Sequence, residues 1–186
     1  VIDNVRPQAY VKKQTINDAL KSEGKNVSTA GRIFSLRTHG NIAFTDLKDE
    51  TGKIQIFFQK KLLGESYKNI ELLDLGDFIG VEGKVVKTIA GEISIAPDSF
   101  VLLTKSLSPL PSEHFGLKDI ETRLRRRYLD LLLNPDLREI FRKKAMFWQN
   151  IRIYLAEKSF LEVENPVLEP IPGGADAQPF VTHHNA

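Results

Sequence analysis

The chain contains no cysteine, one methionine and one tryptophan among 186 residues. Without a thiol it forms no disulfide and no thiolate zinc site. That composition suits a reducing compartment, and a cytoplasmic location is expected. Also missing is any apolar run near the roughly 20 residues that a membrane-spanning helix needs. The opening stretch, VIDNVRPQAYVKKQ, has no apolar core of the secretory type. Strong charge of either sign is absent too: 26 Lys and Arg face 24 Asp and Glu, a net charge of +2. So small a total does not announce a polyanionic partner, and the distribution of charge matters more than the sum. Between Arg123 and Lys144 eight basic residues meet three acids, and Arg125, Arg126 and Arg127 form a triplet. Such a run reads either as a solvated helix face or as a contact to phosphate.

What is present is ordinary globular material, 41% hydrophobic and 27% charged. It is enough to bury the core of one large domain or two small ones. The first half has the period of strands. VSTAGRIFSLR and NIAFTDLKD read as two strands broken near His39-Gly40. GKIQIFF follows, with Ile54, Ile56 and Phe58 alternating against Gln55 and Phe57. DFIGVEGKVVKT and GEISIAPDSFVLL are two more, joined at Ala90-Gly91. Between the third and fourth strands, Leu62, Tyr67, Ile70, Leu72 and Leu73 have helical spacing. Three strands, a helix and two strands is the order of an OB-fold, a five-stranded Greek-key barrel. This barrel is expected over residues 27–108, after an N-terminal segment, 1–26, with a short helix.

TKSLSPLPSEHFGL reads as a linker, placed at 109–118, because Pro109 and Pro111 continue neither strand nor helix. The period beyond it is helical. Leu124, Tyr128, Leu131 and Leu132 share a face, and Asp119 or Asn134 can cap, with Pro135 in a first turn. In the next helix Phe141, Ala145, Trp148, Ile151 and Leu155 form a stripe, widened by Ile140, Phe147 and Tyr154. So wide an apolar sector needs two surfaces to pack on: its own domain and either a partner subunit or a larger domain around it.

Alternation also sorts the barrel's inner from its outer side. If Ala43, Leu47, Ile54, Ile56, Ile93 and Ile95 point inward, then Phe44, Gln55 and Glu92 point outward, with Arg37 near them. Phe44 can stack on a base, Gln55 can donate and accept, Glu92 can accept from a base N–H, and Arg37 can meet phosphate or a base carbonyl. Each alone is an ordinary surface residue. Their convergence on one face suggests a base pocket. At the other end, IPGGADAQPFVTHHNA offers paired glycines and paired histidines. Adjacent histidines on an extended chain point to opposite sides and share one ion poorly, so His183 and His184 read as structural. No metal site is expected.

Several of these stretches together resemble the N-terminal portion of class II lysyl-tRNA synthetases. They are AGRIFSLRTHGNIAFTDLKD, GKIQIFF, DLGDFIGVEGKVVKTIAGEISI, LLTKSLSPLPSEHFGLKDIETRLRRRYLDLL and FLEVENPVLEPIPGGADAQPFVTHHNA, covering about residues 27–186. The last is the most specific. Aspartyl and asparaginyl relatives share the barrel and class motif 1 but not this sequence after it. A lysine-using paralogue that modifies an elongation factor lacks the barrel.

The resemblance implies an anticodon-binding barrel, with Arg37, Phe44, Gln55 and Glu92 where the family recognises anticodon bases, chiefly the central uridine of lysine tRNA. It implies that helix 136–158 and a strand FLEVENP form class II motif 1 and build a homodimer interface through Phe147, Trp148, Ile151 and Pro166. Gly174 falls where the family's backbone lines the lysine pocket. Ser159 and Asn165 depart from the family, which more often has Gly and Thr there. The fold implied for 119–186 is the opening of an α+β catalytic domain. Family members activate L-lysine with ATP and Mg2+ to lysyl-adenylate, then transfer the lysyl group to the tRNA 3′ end. No catalytic residue is expected within this stretch, since motifs 2 and 3 are not in it, and the 186 residues alone are expected to be inactive. The alternative is a free-standing OB-fold binder of tRNA without catalysis.

Overall fold

A computed structural model of the chain describes residues 10–11, 13–89, 91–111, 117–164, 166, 178 and 182–183. It divides into two compact units, Val1–Ser112 and Glu113–Ala186.

The first unit holds α1 (Ile16–Leu20), β1 (Asn26–His39), β2 (Ile42–Lys48), β3 (Lys53–Gln59), α2 (Lys60–Leu63), β4 (Phe78–Lys87) and β5 (Ile93–Thr104). The five strands close into a barrel in the order β1-β2-β3-β5-β4. All pairs are antiparallel except β3 with β5. This is the OB-fold. Closure leaves no unpaired edge for another chain to extend. β1 is long enough to serve two neighbours: Asn26–Arg32 pair with β4 and Arg32–His39 with β2. A register shift between Ile33 and Ser35 bends the strand where it changes partner. Gly31 is required near this point, because a Cβ there would lie 2.6 Å from the Lys48 carbonyl oxygen.

Period-two alternation fills the barrel. Ile33, Ala43, Leu47, Ile54, Ile56, Phe58, Ile79, Val81, Val85 and Ile95 are all buried in one cluster. Each fully buried Ile or Leu side chain stabilises by about 1.5–3 kcal/mol. α1 belongs to the same core through Ile16 and Ala19. Its N-cap, Thr15, accepts a hydrogen bond from the Asp18 N–H. Asp77 is also fully buried. Its carboxylate accepts from the N–H of Asp74 (2.8 Å), the N–H of Ser106 (2.7 Å) and Lys105 Nζ (2.7 Å), tying the turn before β4 to the end of β5.

The segment between β3 and β4 departs from the expected single helix. α2 is one turn, and Gly64–Leu72 continues as a 3-10 helix. Gly64, at φ of +54°, breaks the α-helical path. The tighter winding re-sorts the face: Leu63, Ile70 and Leu73 are buried, whereas Leu62 and Leu72 are exposed.

The second unit contains α3 (Ile120–Arg125), α4 (Arg127–Leu133) and α5 (Pro135–Glu157). Asp119 caps α3 by accepting from the Thr122 N–H at 2.7 Å, and the hydrogen bonds of the Thr122 side chain and then its N–H hold the Asp119 carboxyl below the usual carboxylate range. The expected continuous helix from Asp119 is broken at Arg126. Asp130 organises the break. Its fully buried carboxylate accepts from Arg123 Nε (3.0 Å), Arg127 Nη1 (3.0 Å) and Asn134 Nδ2 (2.5 Å). Arg125 pairs with Glu121 at 2.5 Å. Two of the three triplet arginines therefore have carboxylate partners within their own helices. No residue of α5 is buried. Residues 160–164 do not form the strand expected of FLEVENP, and the described part of this unit contains no strand. A strand needs a partner to complete its hydrogen bonds.

Candidate nucleic-acid interface

The outer face of the central strands carries a cavity of about 650 Å³. That size lies within the range of small-ligand pockets. The barrel register builds it. Arg37 on β1 is the direct partner of Phe44 on β2, which is the direct partner of Phe57 on β3. Side chains opposite one another across strands share a face, so a cation and two rings form one row. The two rings stack nearly parallel, with centroids 4.8 Å apart and planes 4° apart. Two residues before Phe57, and on the same face, stands Gln55. The short parallel pairing of β3 with β5 sets Gln55 beside Ser94.

Glu92 enters from the turn between β4 and β5. The turn is closed by the Thr88 N–H donating to the Glu92 carbonyl (2.9 Å) and the Glu92 N–H donating to Thr88 Oγ1 (3.1 Å). Gly91, at φ of +83°, supplies the left-handed residue that this turn requires. Gln55 Nε2 donates to Glu92 Oε2 at 2.8 Å, and Ser94 Oγ donates to Gln55 Oε1 at 2.9 Å. A continuous polar chain thus runs from the barrel wall to the cavity.

All four residues expected to read bases, Arg37, Phe44, Gln55 and Glu92, border this one cavity. One expectation needs correction. Gln55 faces the outer side but is only 8% exposed, and its oxygen is engaged by Ser94. It is not a freely available donor and acceptor. Further lining residues escaped the sequence reading: Phe57, His39, Lys87 and Ile89. Phe57 shares the parity of Gln55, so alternation alone contains that signal. Lys87 is the last residue of β4, where alternation is ending, and Ile89 reaches the cavity from the turn, which carries no period. The chemistry is mixed: a two-ring stacking platform, a carboxylate acceptor, and cations at Arg37 and Lys87. A carboxylate such as Glu92 can accept from an N–H, which a phosphate does not offer.

The remaining expected residues lie in the second unit. Phe147 and Trp148 are exposed and pack edge to face, 5.4 Å between ring centres; Ile151 is half-buried and Pro166 exposed. Trp148, Ile151, Leu155, Phe160 and Leu161 help to line a groove of about 560 Å³. Gly174 lies outside the described residues, as do His184 and Asn165; His183 is exposed. Among the described residues no group of three or more His, Cys, Asp or Glu side chains could hold a metal ion. No helix among them is long and apolar enough to cross a membrane.

A closed five-stranded barrel of this order is the OB-fold, an architecture whose central-strand face binds oligonucleotides or oligosaccharides in many proteins. Residues 27–103 match the family model for the OB-fold nucleic acid binding domain, and residues 119–186 match that for class II tRNA synthetases (D, K and N). The curated relatives named here are lysine–tRNA ligases. The chain is 48% identical to a lysine–tRNA ligase of Syntrophomonas wolfei over 93% of its own length and 36% of the relative's. It is 50% identical to one from a Synechococcus species (87% and 32% covered), and 44% identical to one from Xanthomonas oryzae (91% and 34% covered). The chain belongs to the class II lysyl-tRNA synthetase family. It spans about a third of the length of the curated relatives it matches.

Proposed function

We propose that these residues form the anticodon-reading part of an ATP-dependent lysine–tRNA ligase that works in translation in the cytoplasm. The observation that carries this reading is the cavity bordered together by Arg37, Phe44, Gln55 and Glu92. In it the Phe44 ring, backed by Phe57, stacks on the central uridine of the anticodon. Glu92 accepts from the uracil N3–H, Gln55 Nε2 donates to a uracil carbonyl, and Arg37 meets a phosphate or the second carbonyl. The two-ring stack holds Phe44 upright, so little side-chain freedom remains to be lost on binding. The cations at the rim draw in the RNA backbone without reading sequence.

Binding of the chain to a lysine anticodon stem-loop tests this. Changing the central uridine to cytidine should weaken binding, because cytosine N3 offers a lone pair where Glu92 needs a proton. Phe44→Ala should cost about 1–3 kcal/mol, the usual contribution of one base–aromatic stack. Equal affinity for stem-loops of any sequence would sink the reading. Salt dependence alone would report only phosphate contacts.

For the whole protein, the family reading adds lysine activation to lysyl-adenylate with ATP and Mg2+, and transfer to lysine tRNA. The Gly174 backbone would form part of the lysine pocket, since glycine lets a ligand approach the main chain closely. Lysine-dependent ATP–pyrophosphate exchange by the full-length protein tests this step. The exposed side chains of Phe147, Trp148, Ile151 and Pro166 would pack against a second copy.

A further inference from the structure

We infer that Ser94 is a positioning residue for base recognition, acting through Gln55. The inference rests on the pocket reading above. Ser94 is fully buried and does not border the cavity, so it touches no ligand there. Its only side-chain hydrogen bond among those described runs to Gln55 Oε1, at 2.9 Å. On the other side of the same amide, Gln55 Nε2 donates to Glu92 Oε2 at 2.8 Å.

The bond to Glu92 decides which way the amide faces, because a carboxylate only accepts, whereas the Ser94 hydroxyl can donate or accept. An amide flip would set Oε1 against the Glu92 carboxylate, two acceptors at hydrogen-bond distance with no proton between them. Ser94 holds the other end: it gives the buried Oε1 its donor and keeps the amide plane from swinging toward solvent. What remains free is an N–H on Gln55 Nε2 beside an unpaired oxygen on Glu92. A donor next to an acceptor is the complement of a uracil carbonyl next to N3–H. Cytosine offers the reverse, an amino donor next to an acceptor nitrogen. Discrimination therefore depends on the amide staying in one orientation, and the parallel pairing of Gln55 with Ser94 provides the hydroxyl that holds its Oε1 end in place.

The test measures affinity of the chain for two lysine anticodon stem-loops, central uridine and central cytidine, by fluorescence anisotropy, with folding checked by circular dichroism and thermal melting. Ser94→Ala should lower the uridine-to-cytidine affinity ratio by about tenfold, within the range of one well-aligned base contact. Ser94→Cys is nearly the same size and a poor donor, so it should lower the ratio alike and guards against a packing defect in the alanine variant. Ser94→Thr keeps the hydroxyl and should hold the ratio near wild type. In a Gln55→Ala background Ser94→Ala should change the ratio no further. A folded Ser94→Ala with the wild-type ratio makes Ser94 an ordinary core serine and overturns the inference, leaving the pocket reading intact. An equal loss with and without Gln55 overturns it as well. If the wild-type chain itself does not distinguish the two stem-loops, the pocket reading falls and this inference with it.

Discussion

Ser159 holds a backbone φ of +66°, just past the end of α5. Its N–H bonds to the Ala156 carbonyl, and the next N–H, of Phe160, reaches back to the Leu155 carbonyl. This is a Schellman closure, in which the residue after the cap must be left-handed, and glycine adopts that conformation at no steric cost. An L-residue there costs roughly 1–2 kcal/mol. Glycine, which the resemblance described above leads one to expect here, would adopt this conformation without that cost. Ser159→Gly should stabilise by about 1 kcal/mol or slightly less, since glycine also gains freedom when unfolded. The midpoint of urea unfolding measures it, and an unchanged or lower midpoint contradicts it. Gln55 teaches a different lesson at the same scale. Its parity was readable from the alternation of GKIQIFF, but its engagement by Ser94 was not. That partner lies 39 residues away and reaches it only when β3 and β5 close the barrel.

At the scale of elements, the α3–α4 pair depends on one buried carboxylate. Burial alone would raise the Asp130 pKa; the Asn134 and Arg123 hydrogen bonds, with the charges of Arg123 and Arg127, outweigh it and hold the group below the usual carboxylate range. A depressed pKa gives stability that is complete above the unfolded value, about 3.9, and is lost as pH falls through the folded value. Asp130→Asn should therefore be less stable than wild type near pH 7, and the gap should narrow as pH drops below about 4. Urea midpoints at pH 7 and pH 3 decide this; a gap independent of pH would assign Asp130 a packing role only. Helical spacing anticipated α4 and the cap at Asp119. The break at Arg126 was invisible, because it follows from Asp130 drawing arginines from both sides. The segment after β3 differs for a related reason: Gly64 is a single residue, but its conformation turns the whole apolar face.

At the scale of the molecule, the two units bury their apolar residues very unequally. The barrel encloses a continuous core from Ile16 to Ile95. In the second unit Ile140, Phe147, Trp148, Tyr154, Phe160 and Leu161 are all exposed, and none of α5 is buried. Apolar surface of this extent marks a place where other protein packs. On the proposed reading it is a second copy, and a stable interface buries about 800 Å² on each partner. Sedimentation equilibrium of the full-length protein should then give a dimer, and Trp148→Glu should shift it toward monomer. A variant that remains fully dimeric removes this helix from the interface.

By itself the sequence determined the succession of strands along the chain, the core of the barrel, the parity of Phe44 and Gln55, and the two changes of period. Those features are local: side-chain direction alternates along a strand and recurs along a helix whatever lies far away. Tertiary structure alone decided the stacking of Phe44 on Phe57, the chain from Ser94 through Gln55 to Glu92, the place of Lys87 and Ile89 at the cavity, and the broken helix around Asp130. Each of these depends on contact between residues distant in the chain, or on the turn of one backbone angle, and periodicity carries neither.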